Sequence, residues 1–547
     1  MKRPFFIPAI FILVCVSCTA ARAGGTGRTD VAIIPLDNRP ACLDYTVRIA
    51  KIAGLNPITP PYSAIGAYIF GGNPESLTAW LNSLSPAPEY LVVSIDMLAF
   101  GGLVESRKFD ISLEAAERNL DVMAIFSAKN PGTKIYAFDT IQRIARTGTG
   151  DAGYDAVTQK MATFFKVADE AAVIGNTVLK QQSKSLRQQL PDGDVKEYLA
   201  ARNRNHFINM KALDMTGNGV IDYLVIGMDD NALYGPQRRE RDMIMEKIKE
   251  LGVGERVVVK PGADELAQLL VVRAAHDRRG IKPCAAAEYF PETAADWTPP
   301  LEDRPLAKSV ERTLSIAGFG AERRTDGPVL LLYGDNAAGA AGPDAAEAAQ
   351  DMAAAAAGYL RARRDVAIGD LRAVNRAEPV AVRALEMNVD LAALSAYSGW
   401  NTAGNALGTA VAHLAAFEIL AADSARGNCG DCRARLAEHV EFLYQRFLDD
   451  YIFMAVVRPE TDLVLQAAGE SPLRISGGFY QDFRTNFENK LRAESDGFLA
   501  RNFLGKTVRA GTGGRFISAE ISTISFNMLI PWFRTFEVEL DVDTELK

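Results

Sequence analysis

Histidine is scarce in this chain: His206, His276, His413 and His439 are the only ones among 547 residues. A zinc site built on Cys429-Gly-Asp-Cys432 would need two further ligands, and so few histidines argue against one. Of the six cysteines, Cys15 and Cys18 lie in an apolar N-terminal run, leaving Cys42, Cys284, Cys429 and Cys432. A local Cys429–Cys432 disulfide or free thiols are expected. Basic residues are short too: 60 Lys and Arg stand against 68 Asp and Glu, which argues against a nucleic-acid surface or a polybasic membrane patch. No long apolar run follows residue 23, so no transmembrane anchor is expected in the rest of the chain. Ser94 and Ser106 lack the histidine pattern of a nucleophilic triad. Residues 398–409 are rich in small side chains but lack the Gly-x-Gly-x-x-Gly order and the preceding strand of a dinucleotide fingerprint. The stretch from Asp214 to Asp222 matches the first nine places of a calcium loop, but Val225 stands where the bidentate carboxylate belongs. Neither a cofactor nor a metal is therefore expected.

What is present begins with an export signal. Lys2 and Arg3 precede an almost wholly apolar stretch from Phe5 to Val16, and Ala21-Arg22-Ala23 has the small-x-small pattern of a leader-peptidase site. Cleavage after Ala23 is the expectation. Lipid attachment at Cys18 is the alternative, disfavoured because Cys15 occupies a place where an aliphatic residue belongs. The mature chain would hold 524 residues, with 57 basic and 68 acidic side chains, and would be periplasmic or secreted. That length accommodates two or three domains.

From residue 30 to about 400, short apolar runs alternate with helical stretches. Val31–Leu36, Tyr90–Ile95, Lys134–Phe138, Tyr223–Gly227, Arg256–Lys260 and Val329–Tyr333 read as strands, with weaker candidates at Pro57–Thr59 and Val366–Gly369. Strands separated by helices pair in parallel, and about eight of them match the number a (β/α)8 barrel requires. An α/β fold with a barrel-like parallel sheet over residues 24–407 is therefore expected, with an open doubly wound sheet as the alternative. Residues 151–215 are polar and helical, an inserted arm. Asp344 and Glu347 mark a helix start. Residues 408–547 read as helices followed by an α+β appendage.

The strands run into acids: Asp37 in Pro35-Leu36-Asp37-Asn38-Arg39-Pro40, then Asp96, Asp139, Asp229-Asp230, Asp264-Glu265 and Asp335-Asn336. Carboxyl ends of parallel strands share one face, where substrates bind, so these acids are expected to converge. Asp and Asn at such junctions also cap helices, and Asp264 before Glu265-Leu266-Ala267 reads chiefly as a cap. Asp229 and Asp230 repel as neighbours, so one is expected ionised and the other with a raised pKa. That asymmetry serves acid/base cleavage of a glycosidic bond, and these two are the candidate catalytic pair. In Ser398-Gly399-Trp400-Asn401-Thr402-Ala403-Gly404-Asn405, Trp400 offers a stacking face for a sugar, and Asn401 and Asn405 offer donors and acceptors. Arg202-Asn203-Arg204-Asn205-His206 is a weaker candidate for lining the mouth, against a solvated helix face.

On Pro35-Leu36-Asp37-Asn38-Arg39-Pro40, Asp229-Asp230, Gly262-Ala263-Asp264-Glu265 and Gly399-Trp400-Asn401-Thr402, the chain resembles the bacterial domain-of-unknown-function family DUF4127 over most of its mature length. The resemblance implies that these segments form one site, and it implies no activity. The residue chemistry itself points to an exported carbohydrate-active hydrolase acting on a carbohydrate or cell-envelope glycan. Asp229 and Asp230 would be catalytic, with Asp37, Asn38, Arg39, Asp96, Asp139, Asp335, Asn336, Trp400, Asn401 and Asn405 holding substrate. The alternatives are a non-catalytic glycan or envelope binder and a metal-dependent hydrolase.

Overall fold

Within each long apolar run, alternate residues serve two different cores. Val31, Ile33, Tyr90, Val92, Tyr136, Phe138 and Val225 pack into one. Their neighbours Ala32, Ile34, Leu91, Val93, Ile135, Ala137 and Leu224 pack into another. Continuous apolar strands of this kind belong to a parallel sheet covered by helices on both faces. The computed structural model describes residues 30–547 apart from Ile69, Asp230, 322–326, Asn428 and Gly513. The expected leader, with Cys15 and Cys18, and Asp230 thus lie outside the described residues.

Strands β1 (Val31–Ile34), β2 (Pro57–Ile58), β3 (Tyr90–Ser94), β4 (Lys134–Ile141), β5 (Tyr223–Met228) and β6 (Val257–Pro261) form one parallel sheet in the order β2-β1-β3-β4-β5-β6. The helices Asp44–Ile52 and Leu266–Arg279 cover the first face. Helices Pro74–Ser83, Leu113–Lys129, Asp192–Gly217 and Pro236–Leu251 cover the second. Four further strands, β7 (Ala286–Phe290), β8 (Val329–Tyr333), β9 (Val366–Asp370) and β10 (Ala396–Ser398), make a second parallel sheet in the order β10-β9-β8-β7. The chain is thus α/β, but the barrel expectation fails. Among the described residues β6 pairs only with β5 and β7 only with β8, so neither sheet closes. The first sheet is open and doubly wound, and its strand order reverses between β1 and β3, the place where such sheets bind ligands.

Between β4 and β5 the expected arm is three helices, Ala152–Ile174, Thr177–Gln188 and Asp192–Gly217. Asp151 starts the first, its side chain accepting from Tyr154 N at 2.8 Å, and Asp344 caps the helix Ala345–Arg361 as expected. Asp214 and Thr216 lie inside the third arm helix, so the calcium-loop pattern forms no loop. Arg202 and Arg204 on that helix are buried, donating to backbone oxygens of Gln142, Arg143, Ser106 and Ile111, and they tie the arm to the sheet instead of lining a mouth.

The helix Ala403–Arg426 is long and apolar enough to span a membrane, yet 89% of its apolar window is buried inside the protein. After it, the helix Cys432–Arg446 runs on into a π-helical stretch, Phe447–Val457. An antiparallel sheet of β11 (Thr507–Thr512), β12 (Arg515–Leu529) and β13 (Glu539–Leu546) ends the chain. Cys429 and Cys432 are joined in a disulfide, while Cys42 and Cys284 are free.

Candidate active site

The loops at the carboxyl ends of both parallel sheets surround one cavity of about 450 Å3. The first sheet contributes Arg39 after β1, Leu103, Val104 and Arg107 after β3, Arg143 and Thr147 after β4, Asp229 and Asn231 after β5, and Asp264 after β6. The second sheet contributes Leu301 and Glu302 after β7, Asn375 after β9, and Asn401, Thr402 and Asn405 after β10. Leu473, Trp532, Arg534 and Phe536 from the C-terminal region complete the wall. The cavity therefore touches the β1/β3 switch point and bridges the two sheets.

Among the described residues, five non-glycine residues have left-handed backbone, and four of them belong to this wall or its backing: Tyr68 (φ 53°), Leu301 (67°), Asn375 (65°) and Phe533 (50°). Such conformations cost on the order of 1–3 kcal/mol each and persist where the surroundings over-determine them. Asn375 is held by its N–H donating to the Asn401 carbonyl at 2.6 Å. Tyr68 stacks on Trp532 with ring centroids 5.0 Å apart, and Phe533 lies 4.7 Å from Tyr480.

Asp37 and Asp264 grip Arg39 from two sides. Arg39 Nη2 lies 2.7 Å from Asp37 Oδ2 and 2.6 Å from Asp264 Oδ1, and all three side chains are buried. Asp264 is thus not the helix cap expected from its position. The helix Leu266–Arg279 starts without a side-chain cap, and the Asp264 carboxylate instead takes Arg39 and Asn405 Nδ2, the latter at 3.4 Å. Asn38 stands behind the cavity, where its Oδ1 accepts from Trp532 Nε1 at 2.7 Å.

Arg107 holds Asp229 across the mouth, Nη2 to Oδ2 at 2.5 Å, and its Nη1 donates to Thr147 at 2.6 Å. Burial disfavours the Asp229 carboxylate, but the charges of Arg107 and Arg143 outweigh it and hold the group below the usual range. Asp229 is therefore held as a carboxylate rather than as a carboxylic acid. Its expected companion Asp230 lies outside the described residues. Asp96 and Asp139 sit beneath the cavity, not on its wall. Asp96 accepts from the Thr140 hydroxyl at 2.8 Å and Asp139 from Asn209 at 2.7 Å. Burial raises both, and for Asp139 the nearby Asp96 adds to it, so this pair retains a proton more readily than free carboxyls do.

A raised carboxyl on the wall itself is Glu302. Its Oε1 accepts from Gly404 N at 3.0 Å, and its buried Oε2 has no hydrogen-bond partner. Burial pushes Glu302 up to about 8, with the Lys260 ammonium pulling down and Glu265 pushing up. Lys260 is itself ion-paired to Glu265, both fully enclosed. Gly404 and Gly408 make this packing possible. A Cβ at Gly404 would come 2.8 Å from Glu302 Oε1, and one at Gly408 would come 2.1 Å from Glu265 Cγ. The small residues of 398–409 thus admit two carboxyl side chains rather than a ligand.

These carboxyls set a pH dependence of stability. Glu302 and, at the end of β9, Asp370 are each pushed by burial to about 8, well above an unfolded carboxyl. The folded state therefore holds more protons than the unfolded one between about pH 4.5 and 8, so stability falls as pH rises through that window. The buried His276 and His439, lowered to about 4 and about 3, contribute fully once pH exceeds their unfolded value of about 6.5. Between pH 6.5 and 8.5 the histidines no longer change the slope, and Asp450, Glu441 and Glu539, raised by burial to about 7, add to it in the same direction. Unfolding free energy is expected to drop there by about 2 kcal/mol for each of Glu302 and Asp370. Denaturant titrations at half-unit pH steps check this, and a flat or rising profile contradicts it.

Trp400 is not the sugar platform its sequence context indicates. It is buried, its ring tilted against Phe536 at 6.0 Å, because Asp450 Oδ2 accepts from Gly399 N at 2.7 Å and draws the loop inward. Asp335 and Asn336 follow β8, whose loop does not reach the cavity. Asp335 pairs with Arg372 at 3.3 Å, while Asn336 donates to the Pro343 carbonyl and accepts from Thr293. Arg39, Asp229, Asn401 and Asn405 are brought together as expected. Sequence reasoning misses Arg107, Arg143, Glu302, Trp532 and Arg534, of which only Arg143 follows directly on a strand, two residues past β4. The one local signal was the acid-base run Glu302-Asp303-Arg304 between two prolines, Pro300 and Pro305. Among the described residues, no three His, Cys, Asp or Glu side chains group as metal ligands.

An open α/β scaffold with a carboxyl- and arginine-lined cleft at its strand ends defines the class. The chain belongs to the family described as "Protein of unknown function (DUF4127)", which matches residues 31–541. No curated protein and no solved structure matches it.

Proposed function

We propose that this protein is an exported carbohydrate-active hydrolase of glycosidase type, with Glu302 as general acid and Asp229 as its ionised partner. The observation that carries this reading is that one cavity holds both a buried carboxyl with a spare oxygen and a carboxylate fixed in the charged form by arginine. Two carboxyls whose surroundings push their protonation apart are what cleavage of a glycosidic bond needs. Protonated Glu302 gives its proton to the leaving oxygen as the glycosidic C–O bond breaks. Asp229 stabilises the positive charge that develops on the sugar, and water then forms the new C–O bond at the anomeric carbon and returns a proton to the Glu302 carboxylate. The amides of Asn231, Asn375, Asn401 and Asn405 face the same space and suit sugar hydroxyls. The Cys429–Cys432 disulfide supports an oxidising compartment, in keeping with an exported, periplasmic or secreted protein.

One observation favours a second reading, glycan binding without turnover: Asp229 is already neutralised by Arg107. A panel of chromogenic glycosides, assayed with and without chelator, separates the two. Turnover that ignores chelator and falls by about 100-fold or more in Asp229→Asn is the expected result. Binding by calorimetry with no release of chromophore from any member would establish the second reading. Turnover abolished by chelator and restored by a divalent cation would overturn the carboxyl-only assignment.

A further inference from the structure

The polar cavity has an apolar margin. Leu301 and Leu473 line it directly and are nevertheless 55% and 39% exposed. Phe533, 51% exposed, stands between the lining residues Trp532 and Arg534. Ile475 N donates to the Phe533 carbonyl at 2.8 Å, which keeps the Leu473 segment beside Phe533. Large apolar side chains scattered singly over a surface need no explanation, but a group gathered at the mouth of a polar cleft marks an interaction surface. The backbone adds a second observation: Leu301 and Phe533 both occupy left-handed conformations, at φ 67° and 50°. Bulky residues rarely adopt that region, and strain of this kind gathers at ligand clamps.

Inside the cavity the chemistry is the opposite. The buried Oε2 of Glu302 and the Oδ1 atoms of Asn231 and Asn405 have no hydrogen-bond partner. The two amide oxygens call for donors and the protonated Glu302 for an acceptor, and ligand hydroxyls supply both. A ligand matching both zones is donor-rich at one end and apolar at the other.

We propose that the substrate is an amphiphile, a hydroxyl-rich head group seated in the cavity and carrying an alkyl or other apolar aglycone that lies on the Leu301–Leu473–Phe533 margin. The identity of the head as a sugar rests on the glycan reading of the cavity. The apolar tail rests on the margin alone.

The test measures binding by calorimetry to matched methyl and octyl glycosides of several sugars, below their micelle concentrations, with octyl glycerol as a head-group control. Each covered methylene tightens binding by about fourfold, so covering three or four makes the octyl member about 100-fold tighter than the methyl one. Leu301→Ser and Leu473→Ser are each expected to shrink that octyl-to-methyl ratio severalfold. Thermal unfolding of the two variants shows that they remain folded. If octyl glycerol binds as tightly as the octyl glycosides, the tail assignment stands and the sugar reading of the head fails. Equal affinity for methyl and octyl members, or failure of every octyl member to bind, overturns the inference. Equal affinities accompanied by binding to phosphatidylcholine vesicles, or by self-association lost in the same variants, would assign the margin to a bilayer or to a second copy and overturn it as well.

Discussion

Replacing Arg446 by methionine is expected to lower the unfolding free energy by about 3–5 kcal/mol. Arg446 ends the helix Cys432–Arg446 with no exposed surface, and its guanidinium reaches Asp450 at 2.8 Å and Asp449 at 3.0 Å in the π-helical stretch that follows. Its flat face lies 3.7 Å from the Tyr45 ring centroid, and the Tyr45 hydroxyl donates to Asp449. Asp450 in turn accepts from Gly399 N and so fixes the loop that carries Asn401 and Thr402 to the cavity. Burial already raises both aspartates, with Arg446 opposing the rise. Without the cation, two enclosed carboxyls must take up protons or drag water inside, and the cost appears mostly as destabilisation at neutral pH. The double variant Arg446→Met with Asp450→Asn is expected to recover part of the loss, because an asparagine oxygen still accepts from Gly399 without a charge. Chemical denaturation of the wild type, the single and the double variant measures this. A double variant no more stable than the single would show that lost volume, not an unpaired charge, is responsible.

Apart from the two-residue β2, the strands of the first sheet were legible because they are largely apolar runs set between helices. Tyr90–Ser94 and, in the second sheet, Val329–Tyr333 announce themselves by composition. Two strands of the second sheet escaped notice for local reasons. β7 reads Ala-Ala-Glu-Tyr-Phe, is only half-buried and stands at an edge, and β10 is three residues long. Whether a set of parallel strands closes is decided by pairing between distant edges, which no local pattern records. This is why a strand count near eight pointed to a barrel that does not exist. Acidic strand ends did locate the mouth, yet their individual fates depended on what each met across space. Asp264 met Arg39 and became part of the wall, whereas Asp335 met Arg372 outside it. Glu302 carried little local signal beyond its charged neighbours, since its raised pKa comes from burial and from Glu265, 37 positions before it, against the opposing charge of Lys260.

Glu302→Gln is expected to reduce hydrolysis of glycosides with alkyl leaving groups by about 100- to 10,000-fold, the contribution of a general acid. Glutamine keeps the volume and retains an oxygen to accept from Gly404 N, but it carries no proton for the leaving oxygen. The loss should shrink sharply with nitrophenyl leaving groups, which depart as stable anions without protonation. The wild-type rate should fall along an alkaline limb near pH 8, where the Glu302 carboxyl ionises, and the variant should lack that limb. Stability offers an independent readout. Above pH 8 the wild type carries an ionised Glu302 beside Glu265, so the uncharged variant should there be the more stable protein. A residue that only shapes the wall would behave differently: its loss would be equal for good and poor leaving groups, and the alkaline limb would remain. Rates for alkyl and nitrophenyl glycosides between pH 5 and 9, with unfolding midpoints over the same range, decide between the two. An equal loss across leaving groups would remove Glu302 from the chemistry and leave Asp229 without its acid.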